Sequence, residues 1–461
     1  MRPDRKRNAS ETQPKPARTS MEHLLTQLAA ILPTALTGSV VRTEGAASAV
    51  AGFPAPLGAL VEIARSSGPP VRAEVIGFRD ELTLVSPLGD LNGVRYGNRV
   101  RLVRTARCVP VGDALRGRVI DAHGAMLDGR PAPRLPERAF VNRSAPPVFE
   151  RPPITNPLDT GIRALDGLLP CGQGQRMGVF AGAGVGKSLL LGMLARNARA
   201  DVNVIALIGE RGREVKEFVE NHLGPDGMAK SVVVVATSDD PPLLRLAAAA
   251  TATTVAEFFR DQGHHVLLAM DSLTRFAMAQ REIGLASGET PASRGYPPSV
   301  FATLPRLLER AGSNDRGSIS AFYTVLVEGD DLSEPISDAA RALLDGHLVL
   351  SRRLASAGLF PAVDVLESVS RLTRTVAANQ HLQALNQVRQ WLADYRKQED
   401  AIAIGVYQPG TSPDLDAAIR ARAAVDAYLR QDLDEACPAS AARQQLLQLV
   451  QNVKQPRNQA A

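Results

Sequence analysis

Cysteine is scarce in this sequence, and long hydrophobic segments are absent. The three cysteines, Cys108, Cys171 and Cys437, are odd in number, and none belongs to a Cys-x-x-Cys pair. This pattern disfavours a disulfide framework or a structural metal site and predicts a reduced cytosolic protein. No apolar run approaches the roughly 20 residues that span a bilayer, and the N-terminus lacks the apolar core of a signal peptide.

Net charge is also low outside the first twenty residues. The 461 residues carry a formal net charge of +5, and residues 1–20 hold six basic against two acidic side chains, a difference of +4. These are Arg2, Arg5, Lys6, Arg7, Lys15 and Arg18 against Asp4 and Glu11. The tail is predicted to be disordered, and the nearly neutral remainder disfavours a nucleic-acid-binding protein.

Two patterns follow the tail. Apolar residues at helical spacing predict a short amphipathic helix over Met21–Leu32, which either packs onto its own domain or docks another protein. Short strands separated by Gly, Pro and Asp then predict a small antiparallel barrel, followed by a Pro- and Gly-rich connection at Pro110–Pro157. The predicted barrel strands include Leu60–Ile63, Arg72–Phe78, Glu81–Ser86 and Val100–Val103.

The central part of the chain alternates apolar strands with helices, a pattern typical of a parallel sheet covered on both faces. Strands are predicted at Met177–Phe180, Asn203–Ile208, Ser231–Ala236, Val266–Met270 and Ile319–Val325. Beyond Arg371 the pattern is helical, with helices predicted at Thr375–Tyr395, Leu415–Asp434 and Ala439–Val453. We therefore predict a disordered tail (1–20), a helix and β-barrel domain (21–109), an α/β domain (110–371) and a helical domain (372–461).

The strongest functional pattern lies in Arg176–Ala195. A short strand turns into a helix through Gly182, Ala183, Gly184, Val185, Gly186, Lys187 and Ser188, which is the spacing of a phosphate-binding P-loop. The glycines let the backbone bring N–H groups onto phosphate oxygens. Lys187 is predicted to contact the β- and γ-phosphates of a nucleoside triphosphate, and the Ser188 hydroxyl to ligate Mg²⁺. Ala181 stands where the motif usually has its first glycine, and a chance glycine-rich turn is the alternative.

Two acidic residues are predicted at the same edge of the sheet as the P-loop. Asp271 ends an apolar strand, a position suited to holding Mg²⁺ through water, but also to capping the helix that starts near Leu273. Glu210 ends another strand and is a candidate to polarise or deprotonate the attacking water. From spacing alone, an ion pair with Arg211 or Arg213 explains Glu210 equally well.

Five longer segments carry a resemblance to a known family. They are GERGREV (Gly209–Val215), LLAMDSLTRFAMAQREI (Leu267–Ile283), PASRGYPPSVFATLPRLLERAG (Pro291–Gly312), EGDDLSEPISDAARALLDGHLVLSRRLA (Glu328–Ala355) and FPAVDVLESVSR (Phe360–Arg371). Together they resemble the ATPases of type III protein secretion systems, which are related to flagellar export ATPases and to rotary ATP synthases. The resemblance covers residues 22–455 and implies a RecA-like P-loop fold and Mg²⁺-dependent ATP hydrolysis.

The same resemblance implies roles for individual residues. Glu210 is expected to be the general base, and Arg371 of the Ser-x-Ser-Arg motif a finger inserted into the adjacent subunit's site. Phe360 is expected to stack on the adenine and Tyr428 to close the other side of the base. Arg211 is expected near the γ-phosphate.

A membrane-associated assembly is also implied. A homo-hexamer is expected in the cytoplasm, peripheral to the inner membrane and beneath the export gate, with ATP bound between neighbouring subunits. A stator protein would hold the ring, and a central stalk protein would thread it. The ring would release chaperones from secreted effectors and unfold them, with the Met21–Leu32 helix a candidate stator contact. No nucleic acid is expected as a partner.

Four other classes of protein remain to be weighed. A flagellar export ATPase shares the chemistry, but Ala73–Gly93 is more similar to the injectisome branch. The GYPPSVF and EGDD segments disfavour a rotary ATP synthase subunit. Lys187, Glu210 and Arg371 together disfavour a ring subunit that does not hydrolyse ATP, and the nearly neutral body disfavours a hexameric helicase.

Overall fold

The structure is a computed structural model, and it describes residues 36–44, 47–327, 329, 331 and 333–454. The predicted tail at residues 1–20, the predicted helix Met21–Leu32 and parts of the Glu328–Ala355 segment lie outside the described residues. Within the described ranges, no helix is long and apolar enough to cross a membrane.

The first region is a closed barrel of six antiparallel strands, in the order β1-β2-β5-β4-β3-β6. Its strands are β1 (Thr37–Glu44), β2 (Ala47–Ala51), β3 (Leu60–Ile63), β4 (Val71–Arg79), β5 (Leu82–Pro87) and β6 (Arg99–Arg104). In β4, alternate side chains (Val71, Ala73 and Val75) are buried inside the barrel, because successive residues of a strand face opposite sides. The predicted barrel is confirmed, with β1 and β2 added.

The central region is a nine-stranded sheet with the order β17-β16-β10-β15-β13-β11-β12-β8, in which β14 also pairs with β15. Only β14 and β17 run antiparallel to their neighbours. The sheet strands are β8 (Arg118–Asp121), β10 (Arg176–Ala181), β11 (Val202–Glu210), β12 (Ser231–Thr237), β13 (His265–Asp271), β14 (Gly312–Ser313), β15 (Ser318–Leu326), β16 (Gly346–Leu350) and β17 (Val363–Ser370). The predicted parallel sheet is confirmed.

Helices cover the sheet and form the C-terminal region. They are α1 (Arg163–Leu168), α2 (Lys187–Asn197), α3 (Gly212–Glu217), α4 (Gly224–Ala229), α5 (Pro242–Asp261), α6 (Leu273–Ala286), α7 (Pro298–Leu308), α8 (Pro335–Leu343), α9 (Arg352–Ser356), α10 (Thr373–Val376), α11 (Asn379–Ala403), α12 (Pro413–Leu429) and α13 (Ala439–Lys454). Short 3₁₀ helices lie at Asp113–Leu115, Val148–Glu150 and Ser293–Gly295, and a π-helix at Phe218–Leu223 joins α3 to α4. Proline stands in the first turn of α5, α7, α8 and α12, where its missing N–H costs no helical hydrogen bond.

Both faces of the sheet are buried. In β11, Ile205 and Leu207 join the apolar cluster that includes α2 and the C-terminal helices, whereas Val204 and Ala206 join the cluster that includes α5 to α7. Because both faces are covered, polar side chains of these strands reach solvent mainly at the strand ends. The fold therefore concentrates its chemistry at the edges where strands begin and end.

Two parts of the sheet were missed by the sequence patterns. The segment predicted as a connection, Pro110–Pro157, contains β8, which extends the sheet beside β12. It also contains β9 (Glu137–Phe140), which pairs with β7 (Cys108–Val111). The four-residue strand β8 is flanked by turns at Gly117 and Gly124, both with positive φ, so turn residues dominate its local pattern. The strands β16 and β17, on the opposite lateral side of the sheet from β8, were also not predicted.

Candidate nucleotide-binding site

The candidate site lies where four neighbouring parallel strands end. The strands β10, β15, β13 and β11 are adjacent and share one direction, so their carboxyl ends meet at one edge. The P-loop follows β10, Glu210 ends β11 and Asp271 ends β13. This arrangement brings together the predicted phosphate loop and both predicted acids.

The P-loop conformation depends on two glycines. Gly184 and Gly186 have φ angles of 75° and 102°, which lie in a left-handed region that residues with a Cβ rarely adopt. Between them, Val185 is buried in the core and anchors the turn. The helix α2 begins directly afterwards at Lys187, so its N–H groups and positive dipole end face the loop. Such a turn is suited to hold an anionic phosphate chain.

Lys187 lies between the two acids. Its Nζ is 2.6 Å from Asp271 Oδ1 and 3.4 Å from Glu210 Oε1, and all three side chains are at least four-fifths buried. Burial alone would lower the pKa of Lys187, but the two carboxylates outweigh it and raise this pKa. The lysine therefore stays charged and available to a phosphate.

Glu210 has the properties of a base that titrates near neutral pH. Burial, followed by the nearby Asp271 carboxylate, raises its pKa to about 7, against the opposing effect of Lys187. A hydrogen bond with Glu214 raises the pKa further. A general base works best when its pKa is close to the operating pH. The alternative of an ion pair with Arg211 or Arg213 is not seen, since the carboxylate pairs with Lys187.

Asp271 is held by a hydroxyl that the sequence patterns did not single out. Thr324 in β15 donates its Oγ1 hydrogen to Asp271 Oδ1 at 2.7 Å. The helix-capping role considered for Asp271 belongs instead to Ser272, whose side chain accepts from the Arg275 N–H. The only sequence signal for Thr324 was a hydroxyl within an otherwise apolar strand end.

Oxygen donors suited to Mg²⁺ line one cavity beside the P-loop. Ser188, Glu210, Glu214 and Asp271 all contribute to its wall. Hydroxyl and carboxylate oxygens are the ligands that Mg²⁺ prefers, commonly with water completing the shell. The residues present therefore fit a magnesium ion between Ser188 and Asp271.

Phe360 lies against the P-loop, as the adenine assignment requires. A Cβ built on Gly186 would stand 3.4 Å from Phe360 Cε1. Tyr428, predicted to close the other side of the base, is instead a core residue that is only 7% exposed. Its hydroxyl donates to the Ala442 backbone oxygen at 3.0 Å and also lies 3.3 Å from the Arg163 backbone oxygen. The packing of α12 against α1 and α13 therefore occupies Tyr428, and the structure does not bring it to the loop.

Arg211 also lies apart from the central cluster. Its side chain is 76% exposed, and NH1 is 3.2 Å from Glu214 Oε1, one turn along the chain. Lys187 alone supplies the positive charge between Glu210 and Asp271. In this conformation Arg211 is a partner of Glu214, not a member of the phosphate site.

Arg371 is at the opposite edge of the sheet from the P-loop of its own chain. The strand β17 is antiparallel to β16, with Ser370 opposite Gly346, so it ends where the parallel strands begin. The strand β10 separates the two edges, and its five residue steps of about 3.3 Å amount to about 16 Å. Arg371 is exposed, and among the described residues no carboxylate pairs with it. It therefore faces away from its own nucleotide site.

This fold and this edge define a RecA-like P-loop ATPase. The nucleotide-binding domain of the ATP synthase alpha/beta family matches residues 161–370. The C-terminal domain of the T3SS EscN ATPase matches residues 377–448.

Two curated relatives cover nearly the whole chain. The flagellum-specific ATP synthase of Salmonella typhimurium is 49% identical over 429 residues, which are 90% of this chain and 94% of the relative. The type 3 secretion system ATPase of Xanthomonas euvesicatoria is 48% identical over 399 residues, which are 86% of this chain and 90% of the relative.

A solved structure shares this architecture over most of the chain. The assembled ATPase EscN from the type III secretion system of enteropathogenic E. coli has a TM-score of 0.85 and 43% identity, and the match covers 90% of this chain and 100% of that one. EscN in complex with its central stalk EscO matches with a TM-score of 0.83 and 42% identity, again over 90% and 100% of the two chains. The chain belongs to the family of type III secretion and flagellar export ATPases. It is an ATPase of type III protein export.

Proposed function

We propose that this chain hydrolyses ATP at a site shared between subunits. The observation that carries the proposal is Lys187 held between Asp271 and Glu210 at the start of α2. With ATP bound, Lys187 turns to the β- and γ-phosphates, and Glu210 is released to accept a proton from the attacking water. Phe360, which lies against Gly186, supplies a flat apolar surface for the adenine.

A magnesium ion fits the same proposal. The Ser188 hydroxyl would hold the ion directly and Asp271 through water, with Thr324 fixing the orientation of Asp271. When bound, the ion neutralises charge on the phosphates. Asp271 now pairs with Lys187; if Asp271 held the water bound to the metal instead, Lys187 would be free to contact phosphate.

Arg371 is proposed to act on the adjacent subunit. Because it lies at the opposite sheet edge, its guanidinium cannot span the length of β10 to its own P-loop. A second copy packed in a closed ring would present its P-loop edge to this arginine, and six copies make the proposed homo-hexamer. An arginine finger supplied in trans is worth about 10³–10⁵ in rate.

Subunit mixing tests the shared site. Arg371→Ala should bind ATP almost normally and hydrolyse it about 10³-fold to 10⁵-fold more slowly, whereas Lys187→Ala removes the phosphate contact. Mixed rings place the intact P-loop of the first variant beside the intact finger of the second, so turnover should reappear. Co-assembly is verified by pull-down of an affinity tag carried by one variant only. Joint rings that remain as inactive as either parent would reject the trans finger.

The machine served is proposed to be an injectisome. Ala73–Gly93, which forms most of the β4–β5 hairpin, carries the similarity to that branch. The proposed partners are a stator protein, a central stalk protein, the export gate and chaperone–effector complexes, with the ring in the cytoplasm at the inner membrane. The 49% identity to a flagellar relative keeps flagellar export as the second candidate. Affinity isolation from native cells distinguishes them, because flagellar components in the isolate would overturn the injectisome assignment.

A further inference from the structure

The backbone of Arg371 is connected to the start of strand β10 by two hydrogen bonds through Asp345. The Arg371 N–H donates to the Asp345 backbone oxygen at 3.0 Å, and Asp345 N–H donates to the Arg176 oxygen at 2.9 Å. Arg176 is the first residue of β10, and the P-loop follows the last. The residue before the finger is fixed as well, since Gln175 Nε2 donates to Ser370 Oγ at 3.2 Å and to the Asp345 oxygen at 3.1 Å.

Arg176 and Asp345 also form a close ion pair. Asp345 Oδ2 accepts from the Arg176 N–H at 3.0 Å and from Nε at 3.1 Å, while Oδ1 accepts from NH2 at 3.3 Å. Burial alone would lower the pKa of Arg176, but hydrogen bonds and charge from Asp345 and Glu309 raise it. The carboxylate is thus clamped by one backbone and two guanidinium donors.

A second carboxylate extends this clamp. Glu309 accepts from Arg176 NH1 and, through its other oxygen, from Arg151 NH1, each at 2.5 Å. Partial burial alone would raise the pKa of Glu309, but these two arginines lower it. Glu309 is therefore charged at neutral pH, and both carboxyl groups are held in place by arginine donors.

Close backbone approach completes the arrangement. A Cβ on Gly346 would stand 2.5 Å from the Val369 oxygen and 3.0 Å from Ser370 Cα. Only glycine allows β16 to start this close to the end of β17. The backbone just before Arg371 is therefore closely packed against the start of β16. The Arg371 side chain, by contrast, has only one hydrogen bond within the described chain, from NH2 to the Arg341 oxygen at 3.1 Å.

We propose that Arg176 and Asp345 are positioning residues for the Arg371 finger. They touch no nucleotide of their own subunit; they fix the backbone from which the finger reaches the neighbour's phosphates. The inference rests on the proposed trans site. A displacement of about 1 Å at a reacting group costs on the order of 10²-fold in rate. Loss of the contacts that hold the Arg371 backbone should therefore slow hydrolysis without weakening nucleotide binding.

Asp345→Asn tests the clamp with little change in shape. We expect nucleotide affinity within about twofold of the parent and kcat lowered about tenfold to a hundredfold, since misplacement is partial. Arg176→Lys is a second variant that keeps the charge but loses the fork that meets both carboxylates. It should show the same split between binding and kcat. A kcat within twofold of the parent for both folded variants would overturn the proposal.

A matched control lies at β8, the outermost strand on the opposite side of the sheet from β17. Asp128 accepts from Arg118 Nε at 2.6 Å and NH2 at 2.9 Å, and both side chains are about nine-tenths buried. Asp128→Asn should lower Tm at least as much as Asp345→Asn does, yet leave kcat within about twofold. Equal losses of kcat in the two variants would show a general effect of destabilisation and reject a positioning role.

Mixing separates this inference from the proposed function. Asp345→Asn subunits retain an intact P-loop, so rings mixed with Lys187→Ala subunits should regain turnover, as mixtures containing Arg371→Ala do. If Arg371→Ala mixtures recover and Asp345→Asn mixtures do not, Asp345 acts within its own subunit and only the positioning proposal fails. If neither mixture recovers although joint rings form, the trans finger itself is wrong.

Discussion

The two edges of the central sheet hold charge in opposite ways. At the carboxyl edge, Lys187, Glu210 and Asp271 are buried, and the one ammonium group pairs with both carboxyl groups. At the amino edge, Asp345 and Arg176 neutralise each other, but Arg371 extends outward without a carboxylate partner among the described residues. The comparison teaches that the carboxyl edge pairs its charges within the chain, whereas the amino edge leaves one guanidinium exposed, as the proposed contact with a neighbouring subunit requires.

The largest effect should come from removing Lys187, the central charge of the carboxyl edge. Lys187→Ala removes the charge that we propose contacts the β- and γ-phosphates, and it leaves two buried carboxyl groups without their cation. We expect turnover to become undetectable and nucleotide binding to weaken, as measured by calorimetry and phosphate release. Arg196→Ala is a control that removes an ion pair with Asp434 at the far end of α2. Similar turnover in Lys187→Ala and the parent would contradict the P-loop assignment.

Glu210→Gln should separate binding from hydrolysis at the same edge. The amide keeps the shape but accepts no proton, so we expect near-normal ATP affinity and a loss of turnover of about 10²-fold to 10⁴-fold. Glu217→Gln is a control from the same cavity wall. Retention of near-normal turnover by Glu210→Gln would show that another group is the base.

The pH dependence sharpens the contrast between the proposed base, Glu210, and the proposed finger, Arg371. The base must be deprotonated, and its pKa is raised to about 7, so kcat/KM should fall as pH drops below about 7. Glu214→Gln removes one cause of the raised pKa and should move this limb to lower pH. Arg371→Lys should lower the rate but leave the pH of this limb unchanged. A limb that stays in place in Glu214→Gln would contradict the assigned cause.

The same shift predicts a stability difference. Since the raised pKa means that folding disfavours ionised Glu210, the cost begins as pH rises above the ordinary value of 4.5 and is complete above about 7. Glu210→Gln should therefore gain Tm relative to the parent at pH 8 more than at pH 5, without nucleotide. An equal difference at both pH values would argue against the raised pKa.

The smallest effect concerns residues 1–20, which lie outside the described residues. Residues 1–20 contribute charge but no apolar core, so their deletion should leave Tm and the hydrolysis rate unchanged. Attachment to a stator or to vesicles containing anionic lipid is the property we expect to weaken. Loss of soluble, folded protein on deletion would refute this prediction.

The sequence by itself determined the features that depend on local chain geometry. Gly184 and Gly186 permit the positive φ angles of the P-loop, and the strand before them and the helix after them follow from local patterns. Apolar strands ending in Glu210 and Asp271 placed both acids at one edge, because parallel strands share a direction. The resemblance supplied Phe360 and Arg371, whose roles no local pattern establishes.

Only the tertiary structure decided which charges meet and which side chains are accessible. The packing of α12 buries Tyr428, and the pairing of Lys187 with Asp271 joins residues distant in the chain. The outermost strand β17 runs antiparallel to β16 and thereby carries Arg371 away from its own P-loop. Strand order and direction arise from burial of both sheet faces and long-range backbone pairing, which short windows of sequence do not encode.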